Sequence, residues 1–290
     1  MATMEILDTV ERPLPAENMN GHTKKLRFII EQIRRHRDRV GRPVRLLDFG
    51  CGNGSAVSQY LMLEGVRYWG VDIHEPSRVY AEKHFGGANA RFLAEVPVDV
   101  TFDVLVYSDV LEHLERPQLQ LRDHVKRFRN DGLLVGCIPN GYGPFENEKR
   151  LDRWLRLSAI LDLPARFRRR RRVRAERRDA SHAAPPSHAV ETSPGGVIDN
   201  PGGAASPETA LPYNTESGHL QFFTRRQLDR LLTGVGLALD EFRNGAFVGA
   251  PLSESYLFRG ESVALWNARV ANRLPYWAVS TWLFTASRKP

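Results

Sequence analysis

The chain has 290 residues, 42% of them hydrophobic, which suits one large α/β domain with insertions and excludes a wholly disordered chain. The net charge of +7 is local: residues 166–178, RFRRRRRVRAERR, carry nine Arg and one Glu, leaving −1 for the rest, so no nucleic-acid partner is expected. Cys51 and Cys137 stand far apart and supply neither a disulfide framework nor metal-ligand spacing, which points to a reducing, cytoplasmic setting and no metal.

The first residues, MATMEILDTVERPLP, have acids where a signal peptide needs bases, and residues 1–21 read as a flexible lead. Leu26, Ile29, Ile30 and Ile33 recur at helical spacing and predict a helix over 22–40, stopped by Gly41 and Pro43. Strand and helix then alternate. VRLLDF (44–49) is a buried strand, 50–54 a glycine-rich turn, and 55–63 a helix. RYWGVD (67–72) is a strand, 77–85 a helix, and 90–93 a weak strand. FDVLVY (102–107) is a strong strand, 117–127 a helix, and GLLVGCI (132–138) a strand ending at Pro139. This alternation predicts a doubly wound parallel sheet with helices on both faces.

A helix is expected over 145–163. Residues 165–217 then lose large apolar side chains, and this Arg-, Pro- and Gly-rich composition reads as a disordered insertion between cofactor-binding residues 22–164 and a C-terminal part, 218–290. Thr224 followed by Gln227 is a capping-box pattern for a helix reaching Thr233. A sixth strand is expected at 237–242 and a seventh at 278–286, with a loop and a helix around 265–274 between them. No stretch reaches the ~20 apolar residues of a spanning helix.

The most informative segment is Leu46-Leu47-Asp48-Phe49-Gly50-Cys51-Gly52-Asn53-Gly54. A buried strand runs into three glycines at alternate positions and then a helix. Glycine permits the turn and leaves backbone N–H groups open to a ligand. A carboxylate suits that electropositive rim. Asp72 ends the next strand, 20 residues past Gly52, where an acid accepts from both ribose hydroxyls of a nucleoside. Asp48 can hold the loop or accept from an ammonium group. The spacing G-x-G-x-G departs from the dinucleotide pattern G-x-G-x-x-G, which argues against NAD.

LLDFGCGNGS and GVDIHEPS resemble the first two motifs of class I S-adenosylmethionine-dependent methyltransferases. FDVLVYSDVLEHLERP and HLQFFTRRQLDRLLTGVGL resemble segments of the branch that includes the ubiquinone-biosynthesis O-methyltransferases. The resemblance covers about residues 25–140 and 218–245. It implies a Rossmann-like seven-stranded sheet with an antiparallel last strand, and S-adenosyl-L-methionine as cofactor. It also implies that Asp72 binds the ribose, that Ile73 packs on the adenine and that Ser108 lines the pocket. The cofactor-binding set is then Asp48, Gly50, Cys51, Gly52, Gly54, Asp72, Ile73 and Ser108. Where relatives carry an Asp after the third strand, the nearest acid here is Glu95.

Methyl transfer from a sulfonium is an in-line displacement, so the protein aligns an acceptor and takes a proton. His113, just past the fourth strand, is the candidate base; the bland reading is a histidine that pins the turn at 111–114. Asp109 and Glu112 read as loop-orienting. Asn140, Tyr142 and Glu146 can face the acceptor or merely form a turn, and His219 and Phe222 can close the pocket or join the core. The Arg run reads as a solvated loop, as a contact with an anionic membrane surface, which would place the protein at a membrane periphery, or as a nucleic-acid contact, which lacks interleaved aromatics beyond Phe167. The expected activity is O-directed methylation of a small molecule. The alternative is an inactive methyltransferase-like scaffold docked to anionic surfaces through its insertion.

Overall fold

The structure is a computed structural model that describes residues 12–155, 212, 218–249 and 260–288. The chain divides into two units, residues 1–150 with 211–290, and residues 151–210. The first holds the whole sheet; of the second only residues 151–155 are described, so the Arg run and nearly all of the expected insertion lie outside the described residues.

The elements in chain order are α1 (His22–Val40), β1 (Val44–Phe49), α2 (Ser58–Leu61), β2 (Val66–Val71), α3 (Glu75–Phe85), β3 (Ala90–Leu93) and β4 (Phe102–Ser108). A 3-10 turn at Leu111–His113 follows, then α4 (Pro117–Lys126), β5 (Phe128–Pro139) and α5 (Pro144–Leu155). Further along the chain come α6 (Arg225–Thr233), β6 (Leu237–Asn244), α7 (Glu261–Ala271) and β7 (Thr281–Arg288). The sheet order is β3-β2-β1-β4-β5-β7-β6. β1 to β5 pair in parallel, while β7 runs antiparallel to both β5 and β6. The seven strands and the reversed last strand match expectation.

Residues alternate across each strand, so neighbours in β1 serve opposite faces. Leu46 joins Phe28, Ile29 and Ile33 of α1 and Ala81 of α3 in one core. Leu47 joins Leu121 and Val125 of α4 and Leu228 and Leu232 of α6 in the other. The sheet is thus covered on both sides, as parallel strands require. Gly41 closes α1 in the left-handed region and returns its N–H to the Arg37 carbonyl. Thr224 and Gln227 form the expected reciprocal cap at the start of α6.

Three of the elements that differ from the sequence reading have a visible cause. The helix expected over 55–63 shrinks to Ser58–Leu61, because Asn53 Oδ1 accepts from both the N–H and the hydroxyl of Ser55 and keeps the chain in turns. β5 starts at Phe128, four residues early: Phe128 pairs with Phe102, and the exposed residues 129–131 are carried by a register shift before Leu133 meets Val104. The last strand starts at Thr281 because Tyr276–Ala278 form a 3-10 turn behind Pro275. The lead is anchored at its end: Met19 is buried, its carbonyl takes the Asn267 amide, and Glu17 accepts from the N–H groups of Thr23 and Lys24. No helix among the described residues is long and apolar enough to cross a membrane.

Candidate functional site

β1 has β2 on one side and β4 on the other, and the chain order reverses there, which opens a crevice at the carboxyl ends of the strands. A pocket of about 250 Å³ occupies that crevice, lined by Phe49, Gly50, Gly52, Val71, Asp72, Ile73, Ser77, Asp109, Val110, His113 and Leu114. Its walls are mostly apolar, with the polar groups of Asp72, Ser77, Asp109 and His113 converging on it.

The three loop glycines are all left-handed, with φ of 77°, 58° and 77° at Gly50, Gly52 and Gly54. They serve different ends. A Cβ on Gly50 would lie 2.5 Å from Val110 Cγ2, and one on Gly54 would lie 2.8 Å from the Phe85 ring. A Cβ on Gly52 would meet nothing within 4 Å among the described residues. Only Gly52 therefore faces open space; the other two are glycine because the protein's own side chains fill the room. The idea of a bare floor along all three residues narrows to one position.

Asp72 completes that position. Its Oδ2 accepts from Gly52 N–H at 2.8 Å and its Oδ1 from His74 N–H at 2.8 Å, which fixes the loop and the entry to α3. Each carboxylate oxygen keeps a further lone pair for a hydroxyl in the pocket. Gly50 and Cys51 both donate to the Val71 carbonyl, tying the loop to the end of β2. Ile73 stands at the pocket mouth, 84% exposed, as an apolar wall. Pro212 places its carbonyl against the same rim, accepting from Asn53 Nδ2 at 3.0 Å and Ser77 Oγ at 3.1 Å.

The other members of the expected set sit behind this surface. Asp48 is buried and accepts from Ser58 Oγ at 2.9 Å and Tyr68 OH at 2.6 Å. Burial raises its pKa to about 6 against the pull of those two donors. It supports the loop from beneath and is not among the pocket-lining residues. Cys51 is buried, its thiol pushed up by desolvation. Ser108 also lies outside the lining, and its buried hydroxyl has no hydrogen-bond partner among the described residues. Glu95 is exposed and does not reach the pocket.

The opposite wall is built from distant segments. Asp109 follows β4 with φ 56°, the one non-glycine residue with positive φ among those described. Such a conformation costs about 1–2 kcal/mol. It is held by Lys25 Nζ, 2.5 Å from Oδ2, and by the Cys137 thiol, 3.2 Å from Oδ1. Burial alone would raise the Asp109 carboxyl, but Lys25 beside it carries it below the usual range. Lys25 comes from α1, and no sequence signal links it to a residue 84 positions away.

His113 lines the pocket. Its Nδ1 lies 3.1 Å from the Gly218 carbonyl, and since a carbonyl only accepts, Nδ1 carries the proton. Burial lowers its pKa, so the ring is neutral near pH 7. Its ring meets His219 edge to face at 4.9 Å, and His219 Nδ1 is 2.7 Å from Glu146 Oε1. Glu112 is buried beside them, with its pKa raised by desolvation and by Asp109. Its backbone carbonyl takes the N–H groups of Leu220 and Gln221, stitching the returning chain to the 3-10 turn. Asn140 serves the turn: its amide donates to the Val279 carbonyl at 2.8 Å and the Trp277 carbonyl at 3.2 Å. Tyr142 is exposed against Arg150, and Phe223 rather than Phe222 enters the core.

A family model described as a methyltransferase domain matches residues 19–241. Among curated proteins, the ubiquinone biosynthesis O-methyltransferase of Rickettsia typhi is 26% identical over 117 residues, 38% of this chain and 47% of that protein. The enzyme of the same name from Rickettsia felis is 29% identical over 119 residues, 38% of this chain and 47% of that one. The chain thus spans about half the length of the curated relatives it matches. Among solved structures, the magnesium protoporphyrin IX methyltransferase of Synechocystis, with bound SAH, is 12% identical and covers 93% of this chain and 84% of its own, at a TM-score of 0.50. That likeness is one of fold.

Proposed function

The chain belongs to the methyltransferase-domain family, and from that premise we propose that it transfers a methyl group from S-adenosyl-L-methionine to an oxygen of a small-molecule acceptor. The observation that carries this reading is the open side of Gly52 with the Asp72 carboxylate against it, inside a largely apolar crevice. A sulfonium nucleoside has a sugar diol for Asp72 and a flat base for Ile73. Its amino-acid end suits the N–H groups around Gly52. The buried Ser108 hydroxyl, without a hydrogen-bond partner among the described residues, ends β4 behind the pocket lining.

When bound, the cofactor supplies the electrophilic methyl group and a neutral thioether leaving group. The protein's part is to orient and to manage a proton. Asp72 and the loop fix the donor, while the wall carrying Asp109 and His113 faces it across the pocket. An acceptor hydroxyl that took the methyl group would have to give up its proton on the side facing Asp109 and His113. His113, whose pKa burial lowers, is the neutral imidazole on that wall, and the His219 ring packs against it. The choice of oxygen is supported by the O-methyltransferase relatives.

Titration calorimetry with S-adenosylhomocysteine should show one site, and labelled cofactor should pass its methyl group to an acceptor in a metabolite extract. Absence of both binding and transfer would remove the proposal. Alkaline lability or stability of the labelled product separates carboxyl esters from ethers.

A further inference from the structure

We propose that the groove between α1, β6 and α7 binds a small organic phosphate, a phosphate group carried on an apolar body. The groove is a cavity of about 880 Å³, within the range of small-molecule sites, and it shares no lining residue with the crevice at Gly52 and Asp72. Five cations line it: Lys24 and Arg27 from α1, Arg225 from the start of α6, Arg243 from β6 and Arg269 from α7. Two acids, Glu17 and Glu31, oppose them. The groove is therefore positive, although the chain outside the Arg run is near neutral.

Three observations point to an anionic occupant. First, both acids are already engaged. Glu17 accepts from the N–H groups of Thr23 and Lys24, and Glu31 pairs with Arg35 and, at 3.6 Å, with Arg243. The guanidinium groups of Arg27, Arg225 and Arg269 have no hydrogen bond or ion pair among the described residues. Second, Arg225 is held in place without a counter-ion. Its Cζ lies 4.8 Å from the centre of the Phe242 ring and 5.2 Å from that of Tyr276. Contact with the two rings orients the planar fork and leaves its N–H edges, which grip phosphate oxygens in pairs, open to a ligand. Third, Lys24 carries its charge into a half-buried place against neutral acceptors. Its ammonium donates to the Gly245 carbonyl at 2.6 Å, the Ala268 carbonyl at 3.0 Å and Asn272 Oδ1 at 2.7 Å. Burial lowers its pKa to about 8, a cost that an anion beside it offsets.

Arginine forks suit carboxylate and phosphate alike, but cations drawn from four separate elements suit a group with more than one negative charge. Leu265, Ala268 and Leu283 in the same groove give the rest of the molecule an apolar contact. Cations set around a recess surround a molecule, whereas a bilayer surface meets only the rim, so the shape favours a soluble ligand over a lipid headgroup. The site stands whatever reaction the protein catalyses. Occupied, it would brace α1 against β6 and α7. The residue after Lys24 on that helix is Lys25, which holds Asp109 at the other cavity.

The full chain, with S-adenosylhomocysteine present to fill the cofactor crevice, is titrated in calorimetry with naphthyl phosphate, naphthol and inorganic phosphate at low salt. One equivalent of the ester should bind, more tightly than either of its halves and more weakly as salt rises, and it should raise the thermal midpoint. Arg27→Ala and Arg269→Ala, both at exposed positions, should each lower affinity for the ester by ~10-fold or more. Arg226→Ala, next to Arg225 on α6 but outside the lining, should change nothing. Circular dichroism on every variant confirms folding. Affinity for S-adenosylhomocysteine should stay at the parent value in all three variants, and a loss to match that for the ester would mark damage to the fold and remove the assignment. No saturable binding of the ester, naphthol binding as tightly, or an affinity indifferent to both Arg27→Ala and Arg269→Ala overturns the proposal. So does capture on phosphatidylglycerol vesicles of a chain that ignores the free ester.

Discussion

The two walls of the pocket are built in opposite ways. The β1–β2 wall is contiguous: residues 46–77 supply the loop, the acid and the apolar rim, and most of its polar contacts use backbone N–H groups. The β4–β5 wall is Asp109 to His113 after β4, backed by Lys25 on α1, Glu146 on α5 and His219. A cofactor shared by a whole family needs one fixed shape, and backbone held by short-range bonds gives it. An acceptor differs from enzyme to enzyme, and side chains delivered by separate segments can change without disturbing the sheet.

This contrast makes the first wall breakable at single positions. The largest effect is expected at Gly52. In Gly52→Val a β-branched side chain must adopt φ 58° and fill the open side, and affinity for S-adenosylhomocysteine should fall by ~1,000-fold or more, about 4 kcal/mol. Gly50→Ala, two residues away, should instead cost stability, about 2–3 kcal/mol, because its Cβ lands 2.5 Å from Val110 Cγ2. Calorimetry and thermal melts on the two variants read the distinction directly. Normal affinity in Gly52→Val would show that the ligand does not approach this face of the loop.

A smaller loss is expected at Asp72. Asp72→Asn keeps the size of the side chain but removes the charge and one of the two acceptor oxygens that now hold Gly52 N–H and His74 N–H. A charge-assisted hydrogen bond contributes about 1.5–3 kcal/mol, so affinity should drop by roughly 10- to 100-fold. The drop should be larger for the nucleoside than for its base alone, since adenine has no diol. Equal losses for S-adenosylhomocysteine and adenine would assign Asp72 to the loop only.

The same contrast explains what the sequence reveals. β1, β2 and the glycine turn are readable because Leu46, Leu47, Gly50, Gly52, Gly54 and Asp72 follow local rules within one strand–turn–helix–strand unit. The capping box at Thr224 is readable for the same reason. The Lys25–Asp109 pair and the His219–Glu146 pair are not, because each joins residues 84 or 73 positions apart that no periodicity connects. The different reasons for the three glycines are also hidden: Val110 and Phe85 fill two of the spaces, and both come from elsewhere in the chain. α2 is short because one Asn53 side chain competes with the helix, a local effect that an apolar pattern outweighs on paper.

Asp48 is the test of where the contiguous wall ends. It belongs to the motif in sequence but lies beneath the loop, bonded to Ser58 and Tyr68. Asp48→Asn should leave S-adenosylhomocysteine affinity within ~3-fold of the parent, because the amide oxygen still accepts from both hydroxyls. The variant should instead change the pH dependence of stability. In the folded chain the carboxyl titrates at about 6, above its ordinary 3.8. Between those values the native state holds a proton that the unfolded chain has released, so this residue's contribution to stability is full below pH ~4 and is lost as pH rises through about 6. Denaturant midpoints across pH 4–7 should therefore fall with rising pH in the parent by more than in Asp48→Asn. Parallel profiles combined with a large affinity loss would move Asp48 out of the scaffold and into contact with the ligand.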